Sequence, residues 1–368
     1  MEVFLLKLPL HGSNPSYLYQ SLKLSMPEKT IDFSVNINPY GPPPIIQEKW
    51  SSFFQSMIDY PDPHCLKLKE LISNREGVNQ NQIFIGNGAS ELIYIIANAL
   101  LREKKVLIVE PTFSEYKKAC ETFSCHVSSF LLSSEKNWEL HAEDLISLIE
   151  KVDAIFICNP NNPTGVFYPK EELERIIEEA KQQNTYVVID EAFYDFSTQP
   201  ISMARYVKDY NNLIILRSMT KMFAIAGIRL GYALCHESLI EKLKVFQPEW
   251  SVNAVAQQIG VLCLQDKKHV QKTQSLVAEE RKRVFSYLDS LHFHVTSSQI
   301  NFYLLSERNN QHLLELMKFL LQHGIVPRHT YNFDPLNGRY LRLAIKTKDE
   351  NNRLIEVLEK WRKTCSYS

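Results

Sequence analysis

The chain has 368 residues, 45% of them hydrophobic and 11% aromatic, enough for two globular domains with their own cores. Its 42 acidic and 41 basic residues leave a net charge of −1, which argues against a nucleic-acid binder or an obligate partner of anionic membranes. No stretch approaches the roughly 18 consecutive apolar residues of a membrane span, Met1–Lys7 turns polar too soon for a secretory leader, and seven cysteines without CxxC spacing indicate reduced thiols in a cytoplasmic protein.

In chain order, the segment before about residue 45 is proline-rich and irregular, and is expected to wrap the core or a small domain. From about residue 80 to 250, short apolar runs alternate with helical patterns. Ile83-Phe84-Ile85 precedes a helix over Ser90–Leu101. Val106–Val109 precedes one starting near Ser114. Ala154–Ile157 precedes one from Pro169 to Gln183, where Pro169 suits a first turn and acidic residues follow it. Tyr186–Ile189 and Leu213–Leu216 come next. Such alternation predicts an α/β fold with a mostly parallel sheet sandwiched by helices. After Trp250 the pattern changes to long charged helices near Asn253–Leu264 and His269–Leu291. Strands at Phe302–Leu305 and Tyr340–Ala344 then flank a helix that stops at Gly324, in the manner of a smaller α+β domain. The expected division is an N-terminal arm and part of the small domain (1–45), a large domain (46–250) and a C-terminal small domain (251–368). His292 and His294 alternate on an expected strand and share its face. No further ligand pattern accompanies them, so they read as ordinary strand histidines and no metal is expected.

Ligands in such a sheet bind at the carboxyl ends of the strands, and the informative residues recur there. Gly86-Asn87-Gly88-Ala89-Ser90 opens a helix after a strand; it suits a phosphate on the helix N-terminus, or a plain turn capped by Ser90. Cys158-Asn159-Pro160-Asn161-Asn162-Pro163-Thr164-Gly165 is an overdetermined turn, able to fix an amide against a ligand or simply rigid. Asp190 ends an apolar strand, where a carboxylate is costly unless it caps a helix, reaches water or meets a cation. Lys221 follows Leu213–Leu216 and stands among Ser218, Thr220 and Arg229. An amine there can form a Schiff base with the aldehyde of pyridoxal phosphate (PLP), with Ser218 and Arg229 on the phosphate.

These motifs, in this order and over essentially the whole chain, resemble the fold-type I PLP enzymes of the aspartate-aminotransferase superfamily. The resemblance implies that Lys221 is the Schiff-base lysine, that Asp190 faces the pyridine nitrogen and that Asn162 reaches the ring oxygen. It implies Phe113 on the ring face, and Gly88, Ala89, Ser90, Ser218 and Arg229 around the phosphate. Tyr60, in Tyr60-Pro61-Asp62-Pro63, would reach the phosphate of a neighbouring subunit, hence a homodimer, and Arg342 would grip a substrate carboxylate.

Within the superfamily, histidinol-phosphate aminotransferases share the Tyr-Pro-Asp-Pro and Asn-Pro-Asn-Asn-Pro-Thr-Gly patterns. Threonine-phosphate decarboxylases of cobalamin biosynthesis are also similar at His11-Gly12-Ser13-Asn14, at the segment around Asn36, at Trp250-Ser251-Val252-Asn253, and at Arg328 with Tyr331-Asn332-Phe333. Ser13 replaces the second glycine of the first signature. Phe193 stands where the aminotransferases usually carry a tyrosine. The implied substrate is a small phosphorylated amino acid or amine, contacted by His11, Asn36, Arg328 and Arg342. Decarboxylation of O-phospho-L-threonine is the leading expectation, transamination of histidinol phosphate the alternative, and a PLP-fold protein without turnover the remote one.

Overall fold

The structure, a computed structural model, describes residues 8–307 and 312–365. Met1–Lys7, where the leader was judged absent, lies outside them. Among the described residues no helix is long and apolar enough to cross a membrane.

The N-terminal segment is less irregular than its prolines imply. A short helix at Pro15–Ser21 leads into β1 (Ile31–Asp32). The central layer follows: β2 (Ile83–Gly86), β3 (Lys105–Glu110), β4 (His126–Leu131), β5 (Ala154–Cys158), β6 (Tyr186–Asp190), β7 (Leu213–Ser218) and β8 (Gly231–Cys235). They lie in the order β2-β8-β7-β6-β5-β3-β4, and β8 alone runs against the rest. β5, β7 and β8 are buried at every residue, as a sheet covered on both faces requires. Helices Ala89–Leu100 and Lys170–Gln182 provide part of that cover. Pro169 stands at the N-cap of the latter rather than inside its first turn.

The remaining strands are β9 (Phe293–Val295), β10 (Phe302–Glu307), β11 (Ile325–Val326), β12 (Arg328–His329) and β13 (Leu341–Ala344). Four of them form a second sheet, β12-β13-β10-β9, while β11 pairs in parallel with β1, Ile31 opposite Ile325. β1 and β11 thus make a separate two-stranded sheet, and Phe33 O, accepting from Ala344 N at 3.0 Å, ties the N-terminal segment to the end of β13. His292 and His294 do not share a strand face: His292 has φ +59 and closes a turn before β9, which carries His294. A turn after the Lys267–Ser290 helix must reverse the chain there, and the strand starts one residue later than the alternation implied. Among the described residues six cysteines are free and buried, and no cluster suits a metal ion.

Candidate active site

The site is assembled at the carboxyl ends of β2, β5, β6 and β7. Gly231, at the start of β8, pairs with Gly86 on one side and Ser218 on the other, so three strand tips lie abreast. A Cβ on Gly231 would lie 2.8 Å from Ala89 N and from Arg217 O; glycine lets the helix Ala89–Leu100 start against the sheet. Gly88 is the cap of that helix, at φ +82, and no side chain caps its first amides, Ser90 included. Its missing Cβ leaves room for Arg229, whose Nη2 would be 2.6 Å away. Unsatisfied helix amides beside a guanidinium make an anion cradle. Ser218, the end of β7 that pairs with Gly231, has its Oγ 2.8 Å from Thr220 Oγ1.

Lys221 rides on the single turn Met219–Met222 directly after β7. Its amine is pushed down to about 8, first by burial, then by Arg229 and Arg342, against the pull of Asp190. Asp190 ends β6 and is buried. Its Oδ2 accepts from Tyr116 Oη at 2.6 Å and its Oδ1 from Ala192 N at 2.9 Å. Burial raises its pKa, opposed by these two bonds and by Lys221. Asn162 is held by a tight neighbour: Asn161 donates to Pro111 O at 3.0 Å and accepts from Thr164 N and Oγ1. Arg342 Nη1 donates to Asn162 Oδ1 at 2.5 Å. Phe113 packs edge-on against Tyr116, ring centroids 5.7 Å apart, and near the ring of His11 at 6.1 Å.

Opposite this floor stand two buried arginines. Arg328 and Arg342 are direct cross-strand partners on β12 and β13, a placement that sets two like charges side by side. Burial pushes Arg342 down to about 9, with Arg328 adding to the fall, and Arg328 down to about 10. Arg342 Nη2 donates to Ser34 O at 2.8 Å, and its Nε has no partner among the described residues. Arg328 holds the N-terminal arm: it donates to Pro9 O and Leu10 O, and to Asn332 Oδ1 at 2.8 Å. His11 is half-exposed, with Nε2 3.1 Å from Glu115 Oε1. Ser13 has φ +79, so the serine occupies a conformation suited to the glycine it replaces. Asn36 is buried, and neither of its amide atoms has a partner among the described residues.

The decisive match is the family model for aminotransferase class I and II, which covers residues 28–358. The chain belongs to that family. A threonine-phosphate decarboxylase of Salmonella typhimurium is 32% identical over 95% of each chain. A histidinol-phosphate aminotransferase of Methanococcus maripaludis is 30% identical over 90% of each. The crystal structure of the histidinol-phosphate aminotransferase from Clostridium acetobutylicum superposes with a TM-score of 0.86 at 32% identity, over 91% of this chain and 99% of that one. The protein is a PLP-dependent enzyme with the aspartate-aminotransferase-like fold.

The residues present fit that cofactor as a donor set. The family fold supplies an anion cradle at Gly88 and Arg229, a buried carboxylate at Asp190 and an amine of depressed basicity at Lys221. Tyr60 is not gathered with them. It is 80% exposed, with its ring tilted against that of Trp250, centroids 4.6 Å apart. Tyr116 and Ser34 escaped the sequence reading. Tyr116 sits in the first turn of the helix Glu115–Thr122, just after Phe113, and no motif marks it. No pattern announces Ser34, which acts through its carbonyl.

Proposed function

We propose that the enzyme decarboxylates O-phospho-L-threonine, giving (R)-1-aminopropan-2-yl phosphate. One observation carries this reading: the buried cross-strand pair Arg328–Arg342. Two adjacent guanidiniums match a substrate with two anionic groups, a carboxylate and a phosphate, each suited to a charge-assisted fork. Asn36, buried with its amide unpartnered, and His11, over Phe113, are the further proposed substrate contacts. The Salmonella relative's name supports the same assignment.

In this reading Gly88, Ala89, Ser90, Ser218 and Arg229 hold the PLP phosphate, Asp190 the pyridine nitrogen, Asn162 the ring oxygen, Phe113 the ring face and Lys221 the aldehyde carbon. Bound PLP supplies an electron sink for the pair left at Cα when a bond there breaks. Arg342 and Arg328 choose that bond by fixing the carboxylate and phosphate. The C–C bond to the carboxylate breaks, CO2 leaves, and Cα takes a proton. Lys221 Nζ, whose lowered pKa keeps part of it neutral near pH 8, is the group that carries that proton. Phe193, 6.0 Å from Lys221 Nζ at its ring centre, brings no donor to this side. Tyr60, free on the surface, serves the phosphate of a second copy in a homodimer.

The test is incubation with O-phospho-L-threonine, with and without 2-oxoglutarate. CO2 release that needs no oxo acid is the expected result. Turnover of histidinol phosphate that depends on 2-oxoglutarate, without CO2, would establish the transaminase reading that the Methanococcus and Clostridium relatives represent. No turnover with either would leave a binding protein.

A further inference from the structure

Asn38 is buried two residues beyond Asn36 and makes more hydrogen bonds than any sequence pattern assigns it. Its backbone N donates to Lys221 O at 2.9 Å. Its Nδ2 donates to Met222 O at 2.9 Å and to Thr273 Oγ1 at 2.9 Å, and lies 3.1 Å from His269 Nε2. Its Oδ1 accepts from Tyr40 N at 3.0 Å. The turn that carries Lys221 has four residues, too few to hold itself by internal ladder bonds. Asn38 therefore bonds the carbonyls at its end, Lys221 O and Met222 O, and fastens them to the Lys267–Ser290 helix.

The other end of the same segment belongs to the arginine side. Phe33 N donates to Val326 O at 2.9 Å, Ala344 N to Phe33 O at 3.0 Å, and Arg342 Nη2 to Ser34 O at 2.8 Å. Asn38 lies four positions after Ser34, a reach of at most about 14 Å. We propose that Asn38 is a positioning residue for Lys221, and that Ser34–Asn38 is a strut fixing the spacing between the amine and Arg342. This rests on the reading of Lys221 as the PLP-bearing lysine. Asn38 touches neither cofactor nor substrate; it acts by holding the Lys221 turn in one register against the arginines.

The test uses Asn38→Asp in the holoenzyme, a near-isosteric change that removes the donor and sets an acceptor against Met222 O. Amide exchange over residues 219–225 is expected to rise about tenfold, the scale of one lost hydrogen bond. The kcat is expected to fall by a similar factor while KM stays within about twofold, the split of a displaced reacting group rather than lost binding. Wild-type exchange and kcat, or a rise in KM alone, would overturn the proposal. If Asn38→Asp does not fold, Thr273→Val removes one acceptor only. It should shift both readouts the same way by about threefold, and wild-type values there refute the strut equally. Borohydride fixation of PLP with peptide mapping separates the two ideas. Label on Lys221 with unchanged exchange sinks the Asn38 role alone. Label on another lysine sinks the Lys221 reading and the proposal with it.

Discussion

Lys221 is the residue whose chemistry is most open to titration. A free amine reacts with an aldehyde only when neutral, and its pKa is pushed down to about 8. The rate at which apoenzyme takes up PLP covalently should therefore climb about tenfold per pH unit below that value and level off above it. Stopped-flow absorbance across pH checks this. The causes of the shift fix the signs for variants. Arg342→Met removes a cation and should move the midpoint up; Asp190→Asn removes an anion and should move it down. At this scale the sequence was informative where a residue sits in a local pattern. Lys221, Asp190, Asn162 and Arg229 stand in short runs with fixed neighbours. Tyr116 was not legible, because its bond to Asp190 joins residues 74 apart in the chain; Arg328 and Arg342 were both expected at the substrate, but no local pattern gives the register that makes them direct cross-strand partners.

At the scale of elements, the strand tips are held from behind by Arg217. It is fully buried on β7, one residue before Ser218, with Nε 2.9 Å from Glu191 Oε2 and Nη2 3.2 Å from Glu76 Oε2. Tyr194 covers it at 3.7 Å, and Tyr232 Oη donates to Glu76 Oε1 at 2.7 Å. Glu191 follows Asp190 directly, so one ion pair joins the ends of β6 and β7, the strands that deliver Asp190 and Lys221. Arg217→Met would leave buried Glu191 without its ion-pair partner, while Glu76 keeps Arg75 and Tyr232, and should lower stability by about 3 kcal/mol, read by chemical denaturation followed by circular dichroism. The strands of this layer were readable where they are buried on both faces, as in Ala154–Ile157 and Leu213–Leu216. β4 was not, because it is an edge strand whose residues are half-buried or exposed, and His126-Val127-Ser128-Ser129 carries no apolar run. β8 was missed for a different reason: it runs antiparallel after a loop too short for the alternating strand–helix pattern.

At the scale of the whole molecule, the N-terminal segment crosses between the two sheets, pairing with β11 and bonding to the Lys221 turn. We propose the division 1–45, 46–250 and 251–368 on that basis, with the first part shared between the other two. Exposed Trp50, Phe54, Met57, Ile58 and Tyr60 lie close together in the chain and fit the proposed contact with a second copy. Mixing Lys221→Ala and Tyr60→Ala proteins under conditions that exchange subunits should restore activity, since the hybrid contains one site with both residues intact. Mixtures as inactive as their components would refute a Tyr60 shared across copies.

The paired arginines make the ligand-free protein carry an unbalanced load. Two buried guanidiniums on facing strand positions repel each other, so under the proposed reading anion binding there and folding are linked quantities. An oxyanion at 100 times its Kd contributes about 2.7 kcal/mol to the folded state. Melting temperature should then rise with inorganic phosphate beyond what sodium chloride of equal ionic strength gives, and Arg328→Ala should lose that increment while keeping the one from PLP. On the proposed reading of this pair, the choice of buffer becomes part of the stability being measured: a sample held in phosphate would report the protein with its charge pair neutralised.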